Sequence, residues 1–276
     1  MKKIIAGFIL PILILCFTGL TSCNSCKNRT NGKLQKKVEK EQAETIEKKI
    51  EENVDTLPSS SAIIKMLTDL EVGYMIGITN PYENTKKYFT STTRALNLGV
   101  YGADLSYVTL YNQQQKVIDY LNAIRLLSNE LNMSKIYNEE LYEKIKVNID
   151  NKDELVKILT AAFNDTYSYL SENDQQPLAL LVVGGAWVEG MYLTTHVSDA
   201  AYQVYGISGV LLEQKKSFEL FLEIAEPYAN DPSVNDFLKL LDPVKKVYEG
   251  IGTSLTDQNI KDITKVIDGV RNQIVQ

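Results

Sequence analysis

The run Leu178-Ala179-Leu180-Leu181-Val182-Val183-Gly184-Gly185-Ala186-Trp187-Val188 has no charged or amide side chain, and it constrains the fold more than any other feature of the chain. A helix that is apolar on every side has to be surrounded by other elements, because any face left in water would expose hydrophobic surface. The run is too short to span a bilayer, which takes about 20 apolar residues. Gly184 and Gly185 each cost about 1 kcal/mol relative to alanine inside a helix, so they mark a close approach by a neighbouring element.

The rest of the chain supplies helices to surround it. From Ser59 onward apolar residues recur three and four apart, without sustained alternation of the β type. The spacing predicts helices near 60–72, 81–96, 103–132, 138–149, 152–172, 175–204, 209–229, 232–241, 243–251 and 256–275. Start signals are Asn80-Pro81-Tyr82-Glu83, the box Asn151 to Glu154, and the cap-plus-proline pairs Asp231-Pro232 and Asp242-Pro243. Turns are expected at Gly73 to Thr79, Asn97 to Gly102 and Tyr205 to Ser208. No repeat of solenoid length stands out. The expected fold is all-α, a compact multi-helix bundle over 59–276.

Glu189 interrupts the apolar helix and at 100° per residue shares a face with Leu178, Val182, Gly185, Leu193 and His196. A carboxylate buried there needs protonation, hydrogen bonds from Tyr or Gln, or a cation, for which Arg94 is the candidate. His196 is the single histidine, and seven residues place it about 10.5 Å from Glu189 along the axis, too far to share one metal ion. Trp187 and Tyr192 flank the carboxylate. On the predicted helix 103–132, Asp104, Tyr107, Tyr111 and Gln115 share a face that suggests an aromatic and amide-lined groove toward Glu189. A solvated face is the simpler reading of those residues.

Chemistry-bearing motifs are scarce. Gly185 and Gly190 have phosphate-loop spacing, but Met191-Tyr192 follows where Lys and Ser or Thr are required. No G-x-S-x-G elbow occurs, and one histidine cannot form H-E-x-x-H. Neither a metal nor another cofactor is expected. The net charge of −6 and the lack of a basic patch after residue 49 speak against nucleic-acid binding.

Residues 1–22 have the order of an export signal, with Lys2 and Lys3 ahead of an apolar stretch interrupted by Pro11 and then small or polar residues. Leu20-Thr21-Ser22-Cys23 resembles the lipobox of bacterial lipoproteins, whose cysteine sulfur carries a diacylglycerol and which are commonly palmitoylated. On that resemblance Cys23 is the lipidation site, and the membrane is a partner through its lipid. Cys16, Cys23 and Cys26 are the only cysteines, so the expected domain after them has no internal disulfide. Segment 23–58 is a charged linker rich in Lys, Glu, Asn and Gln, within which 33–57 is alternatively a helical stalk on the Ile46, Ile50, Val54 and Leu57 stripe.

The segments YGADLSY (101–107), YNQQQ (111–115) and GGAWVEGMY (184–192) resemble uncharacterised all-helical lipoproteins of the Bacteroidota, from about residue 57 onward. That resemblance implies a helical fold in the cell envelope and carries no activity. Imelysin-type envelope proteins are also helical, but their G-x-H-x-x-E pattern is absent here. The residues after Cys23 lack the early acidic cluster that resembles surface-export signals in that phylum, so a periplasm-facing position is expected. The expected role is a non-enzymatic binding or scaffolding module for a small molecule, envelope polymer or protein. The alternative is a hydrolase of an envelope component that uses carboxylates including Glu189.

Overall fold

The computed structural model describes residues 73–199 and 207–276, together with Leu67, which is helical and buried. The expected leader, Cys23, the expected linker with its alternative stalk at 33–57, and nearly all of the helix expected at 60–72 lie outside the described residues. The described residues fall in one compact unit, Ile46–Gln276. They are 79% helical with no strand, which establishes the all-α class.

Among the described residues, besides helical Leu67, eight α-helices are delimited: α1 (Ser91–Leu110), α2 (Gln114–Glu130), α3 (Glu139–Val147), α4 (Lys152–Glu172), α5 (Gln176–Asp199), α6 (Ile207–Ala225), α7 (Pro232–Glu249) and α8 (Asp257–Val275). Short 3-10 segments occupy Tyr82–Lys87 and Glu226–Tyr228. Helix α5 is the centre, packed most extensively on α1 and also on α4, α6, α7 and α8. Its span Gln176–Val197, with a mean hydropathy of 1.4, is long and apolar enough to cross a membrane. Its most apolar window is nevertheless 89% buried by the other helices, as expected of a core helix.

Glycines set the α1–α5 distance. A Cβ on Gly99 would stand 2.0 Å from the Val182 carbonyl oxygen, and one on Gly185 would stand 2.1 Å from that of Leu96. The two backbones therefore touch, a distance no side chain permits. On another side of α5, the Phe237 ring fills the space where a Gly184 Cβ would project, at 2.2 Å.

Several expected boundaries move, for physical reasons. Asn97 to Gly102 lies inside α1 rather than in a turn, because Gly99 serves packing. The expected helix 103–132 is broken at 111–113 instead. There Asn112 adopts φ 52°, while the Gln113 and Asn112 N–H groups donate to the carbonyls of Val108 (2.9 Å) and Thr109 (3.1 Å). This is a Schellman cap with asparagine in the place usually taken by glycine, and Asn132 and Asp174 end α2 and α4 in the same way.

Asn80 is not a helix cap. The following Tyr82–Lys87 segment is a 3-10 helix without a side-chain cap, and α1 starts one segment later on a reciprocal Thr90–Thr93 capping box. Asp242-Pro243 starts no helix either, since α7 runs through Pro243. Val234, Phe237, Leu241, Val244 and Tyr248 form one buried stripe across the proline, so packing outweighs the lost backbone hydrogen bond. The caps at Asn151 and Asp231 form as expected, on Glu154 N–H (3.2 Å) and on Ser233 N–H (2.9 Å).

Candidate functional site

Residues 73–90 form a strap that runs along α1 from its C-terminal end back to its N-terminus. The Met75 N–H donates to the Tyr107 hydroxyl (2.7 Å), Tyr101 donates to the Pro81 carbonyl (2.9 Å), and Tyr120 donates to the Asn80 carbonyl (3.0 Å). Asn80 is fully buried, its Nδ2 reaching the Tyr88 hydroxyl at 3.0 Å. Tyr88 in turn donates to the Val275 carbonyl (3.2 Å), and Asn97 donates to that of Ile274 (2.8 Å). Strap, α1 and α8 are thereby joined around one polar interior.

Glu189 lies at its heart and is 0% exposed. Its partner is Arg271 of α8, which donates from Nε to Oε2 at 2.9 Å and from Nη2 to Oε1 at 3.0 Å. A bidentate pair is the strongest geometry available to a buried carboxylate. Burial, the largest single influence, would lower the Arg271 pKa, but the Glu189 charge and hydrogen bond, together with Asp104 and Tyr192, hold the guanidinium above its ordinary value. The guanidinium also lies 4.2 Å from the centre of the Tyr192 ring, a cation–π contact. Arg94, the cation expected here, is instead placed on Glu130 (3.0 Å) and the Tyr88 carbonyl (3.1 Å), at the start of α1.

Asp104 closes the cluster from α1, fully buried, with its Oδ2 accepting the Asn80 N–H at 3.1 Å. Burial, and then the Glu189 charge, push its carboxyl well above the usual 3.8, with Arg271 opposing them. Its Oδ1 is buried and has no hydrogen-bond partner. The cluster thus sets a carboxyl with a strongly raised pKa beside an ion pair. Around it, burial raises the hydroxyl pKa values of Tyr88, Tyr101 and Tyr120.

The remaining sequence candidates divide. Tyr192 and His196 reach the rim: their rings meet tilted, with centroids 4.0 Å apart, His196 Nε2 lies 3.2 Å from Asp268 Oδ1, and Nδ1 lies 2.9 Å from the Tyr192 carbonyl. Tyr107 and Tyr111 meet Tyr74 of the strap in a ring cluster, with centroids 5.4 and 5.6 Å from Tyr74, and burial pushes the Tyr107 hydroxyl up to about 12. Gln115 belongs to α2, is exposed and bonds half-buried Asp119 at 2.9 Å, so it lines no groove with Tyr111. Trp187 faces away from Glu189, stacked on Phe218 at 4.8 Å with its N–H on Gln214 (3.1 Å). The one partner missed from sequence, Arg271, had a signal: it stands four after Ile267 and three before Ile274 on the apolar stripe of α8, a cation on a core-facing row.

Both Glu189 oxygens accept from Arg271 and the side chain is removed from solvent, so the pair holds α5 to α8. A cavity of about 20 Å³ between α1, α2, α3 and α4, lined by Leu98, Leu105, Leu121, Ile145, Leu159 and Val182, has room for about one water. Among the described residues no group of three or more His, Cys, Asp or Glu side chains comes together to hold a metal.

The raised pKa of Asp104 has a consequence for pH dependence. A carboxyl whose folded pKa lies above its unfolded value binds more protons when folded, so stability is full below the unfolded value and falls as pH rises toward the folded one. The wild-type chain is expected to lose up to about 1.4 kcal/mol per pH unit from this group above pH ~4. Asp104→Asn keeps an acceptor for the Asn80 N–H while removing the titration. Urea unfolding between pH 4 and 8 is expected to show a flatter profile for the variant. Parallel profiles would contradict a raised pKa at Asp104.

Fold and site together define an all-α domain with a charged cluster locked inside its core. No family model, curated protein or solved structure matches the chain.

Proposed function

We propose that this chain is a lipoprotein of the bacterial cell envelope, held to the membrane by a lipid on Cys23, facing the periplasm, and acting as a non-enzymatic binding or scaffolding module. The Leu20-Thr21-Ser22-Cys23 segment supports the anchor. The bidentate Glu189–Arg271 pair, fully removed from solvent, carries the non-enzymatic part, because the most chemically suggestive carboxylate is used to join helices. A carboxylate-dependent hydrolase of an envelope component draws on one observation, the Asp104 carboxyl, its pKa raised by burial, beside ion-paired Glu189. That reading requires a substrate to displace Arg271. Partners of the module are an envelope protein, a polymer or a small molecule.

The anchor is tested by metabolic labelling with palmitate. Wild-type chain is expected to take up label, and Cys23→Ser none. Label persisting on Cys23→Ser, or absent from the wild type, would overturn lipidation at this residue.

A further inference from the structure

The strap that covers the charged cluster has an outer side as distinctive as its inner one. Inward, Ile78, Asn80, Thr85 and Tyr88 are buried and hydrogen-bonded or packed into the bundle. Outward, Ile76 is 87% exposed, Phe89 77% and Tyr82 37%. The two remaining exposed large hydrophobics among the described residues, Leu126 and Val147, lie on other elements. An isolated exposed apolar side chain means little, but three of them fall on one pinned 14-residue stretch (76–89).

We propose that the outer side of the strap rests on the anionic bilayer to which the chain is tethered, an inference that builds on the lipid anchor at Cys23. Lys86 and Lys87 are exposed next to Phe89, so the apolar tip at this end of the strap carries a basic pair. Negatively charged headgroups attract such a pair, and the other exposed lysine pair among the described residues, Lys245–Lys246 on α7, has no exposed large hydrophobic beside it in the sequence. Glu83, hydrogen-bonded to Tyr82, and Asp119 nearby keep the middle of the strap acidic, which places the electrostatic contact at the Lys86 to Phe89 end.

The geometry suits an extended plane better than a compact ligand. Met75 is fixed at the level of Tyr107, and Phe89 stands beside Thr90, the cap at the other end of α1. The two levels are about 25 Å apart at 1.5 Å per residue. Gly73 follows Cys23 by 50 residues, which at ~3.3 Å per residue puts an upper bound of about 165 Å on its distance from the anchor, so an anchored strap needs only weak partitioning to dock.

The test uses the full chain with Cys26→Ser and one environment-sensitive label, at Ile76→Cys, Phe89→Cys or, as an equally exposed control on α3, Val147→Cys. Each lipidated protein is reconstituted into phosphatidylethanolamine–phosphatidylglycerol vesicles containing a lipid-borne quencher. Labels at 76 and 89 are expected to be quenched and blue-shifted while the label at 147 is not. In the Cys23→Ser chain, which lacks the lipid, Lys86→Gln with Lys87→Gln is expected to weaken vesicle binding by more than about tenfold. Circular dichroism of each variant confirms that the fold is retained.

Equal, weak quenching at all three positions would overturn the docking surface while leaving the anchor intact. Labels at 76 and 89 that meet no lipid but crosslink to another protein in native membranes would overturn it in favour of a protein interface. A mature chain whose mass shows no acyl group would refute the anchor, whereas quenching in the Cys23→Ser chain would still support the strap.

Discussion

Arg271→Ala is expected to lower the unfolding free energy by about 3–5 kcal/mol, the cost of leaving a buried carboxylate without its counter-charge. Glu189 would be left beside the Asp104 carboxyl, in an interior closed to solvent. The guanidinium also packs on the Tyr192 ring, so truncation removes contact area as well as charge. Arg271→Lys is expected to recover only part of the loss, because an ammonium cannot make the two parallel bonds at 2.9 and 3.0 Å. Urea denaturation followed by circular dichroism measures both variants. A loss below about 1 kcal/mol for Arg271→Ala would mean that the pair is replaceable by solvent.

Gly185→Ala and Gly99→Ala are expected to be comparably damaging, at about 3 kcal/mol or more each, although alanine is the better helix former. In both cases the new methyl meets a backbone carbonyl at about 2 Å, and a backbone cannot rotate aside as a side chain does. Gly102→Ala provides the contrast. No atom lies within 4 Å of its Cβ position, so this change in the same helix α1 is expected to stabilise by up to about 1 kcal/mol. Thermal unfolding of the three variants separates close packing from propensity: three equal gains would show that α1 and α5 are not in backbone contact.

The central helix was legible because an apolar surface on all sides admits one environment, and its glycines were legible as packing positions for the same reason. The caps at Asn151 and Asp231 are local chemistry and could be read directly. The break at Asn112 was hidden because asparagine in the left-handed region leaves the apolar spacing nearly unchanged. That one break also explains the misplaced Gln115, since a helical face continued through 111–113 loses its phase once α2 begins anew.

At the site, the need of Glu189 for a partner followed from its surroundings, but the identity of that partner did not. Arg271 is 82 positions away, and only the packing of α8 on α5 brings it there. Asp104 was visible as a polar residue near tyrosines, whereas its raised pKa depends on burial beneath the strap and on the Glu189 charge. Trp187 lies two residues from Glu189, or about 200° around the helix, which puts it on the opposite side.

The claim that the Glu189–Arg271 pair is a structural lock is tested most directly by a double-mutant cycle of Glu189→Leu and Arg271→Met in urea unfolding. Each single change is expected to cost several kcal/mol by stranding the other charge, while the double change costs less than their sum by about 2 kcal/mol or more. Single-variant losses that add to within about 0.5 kcal/mol, or Glu189→Leu with unaltered stability, would contradict it.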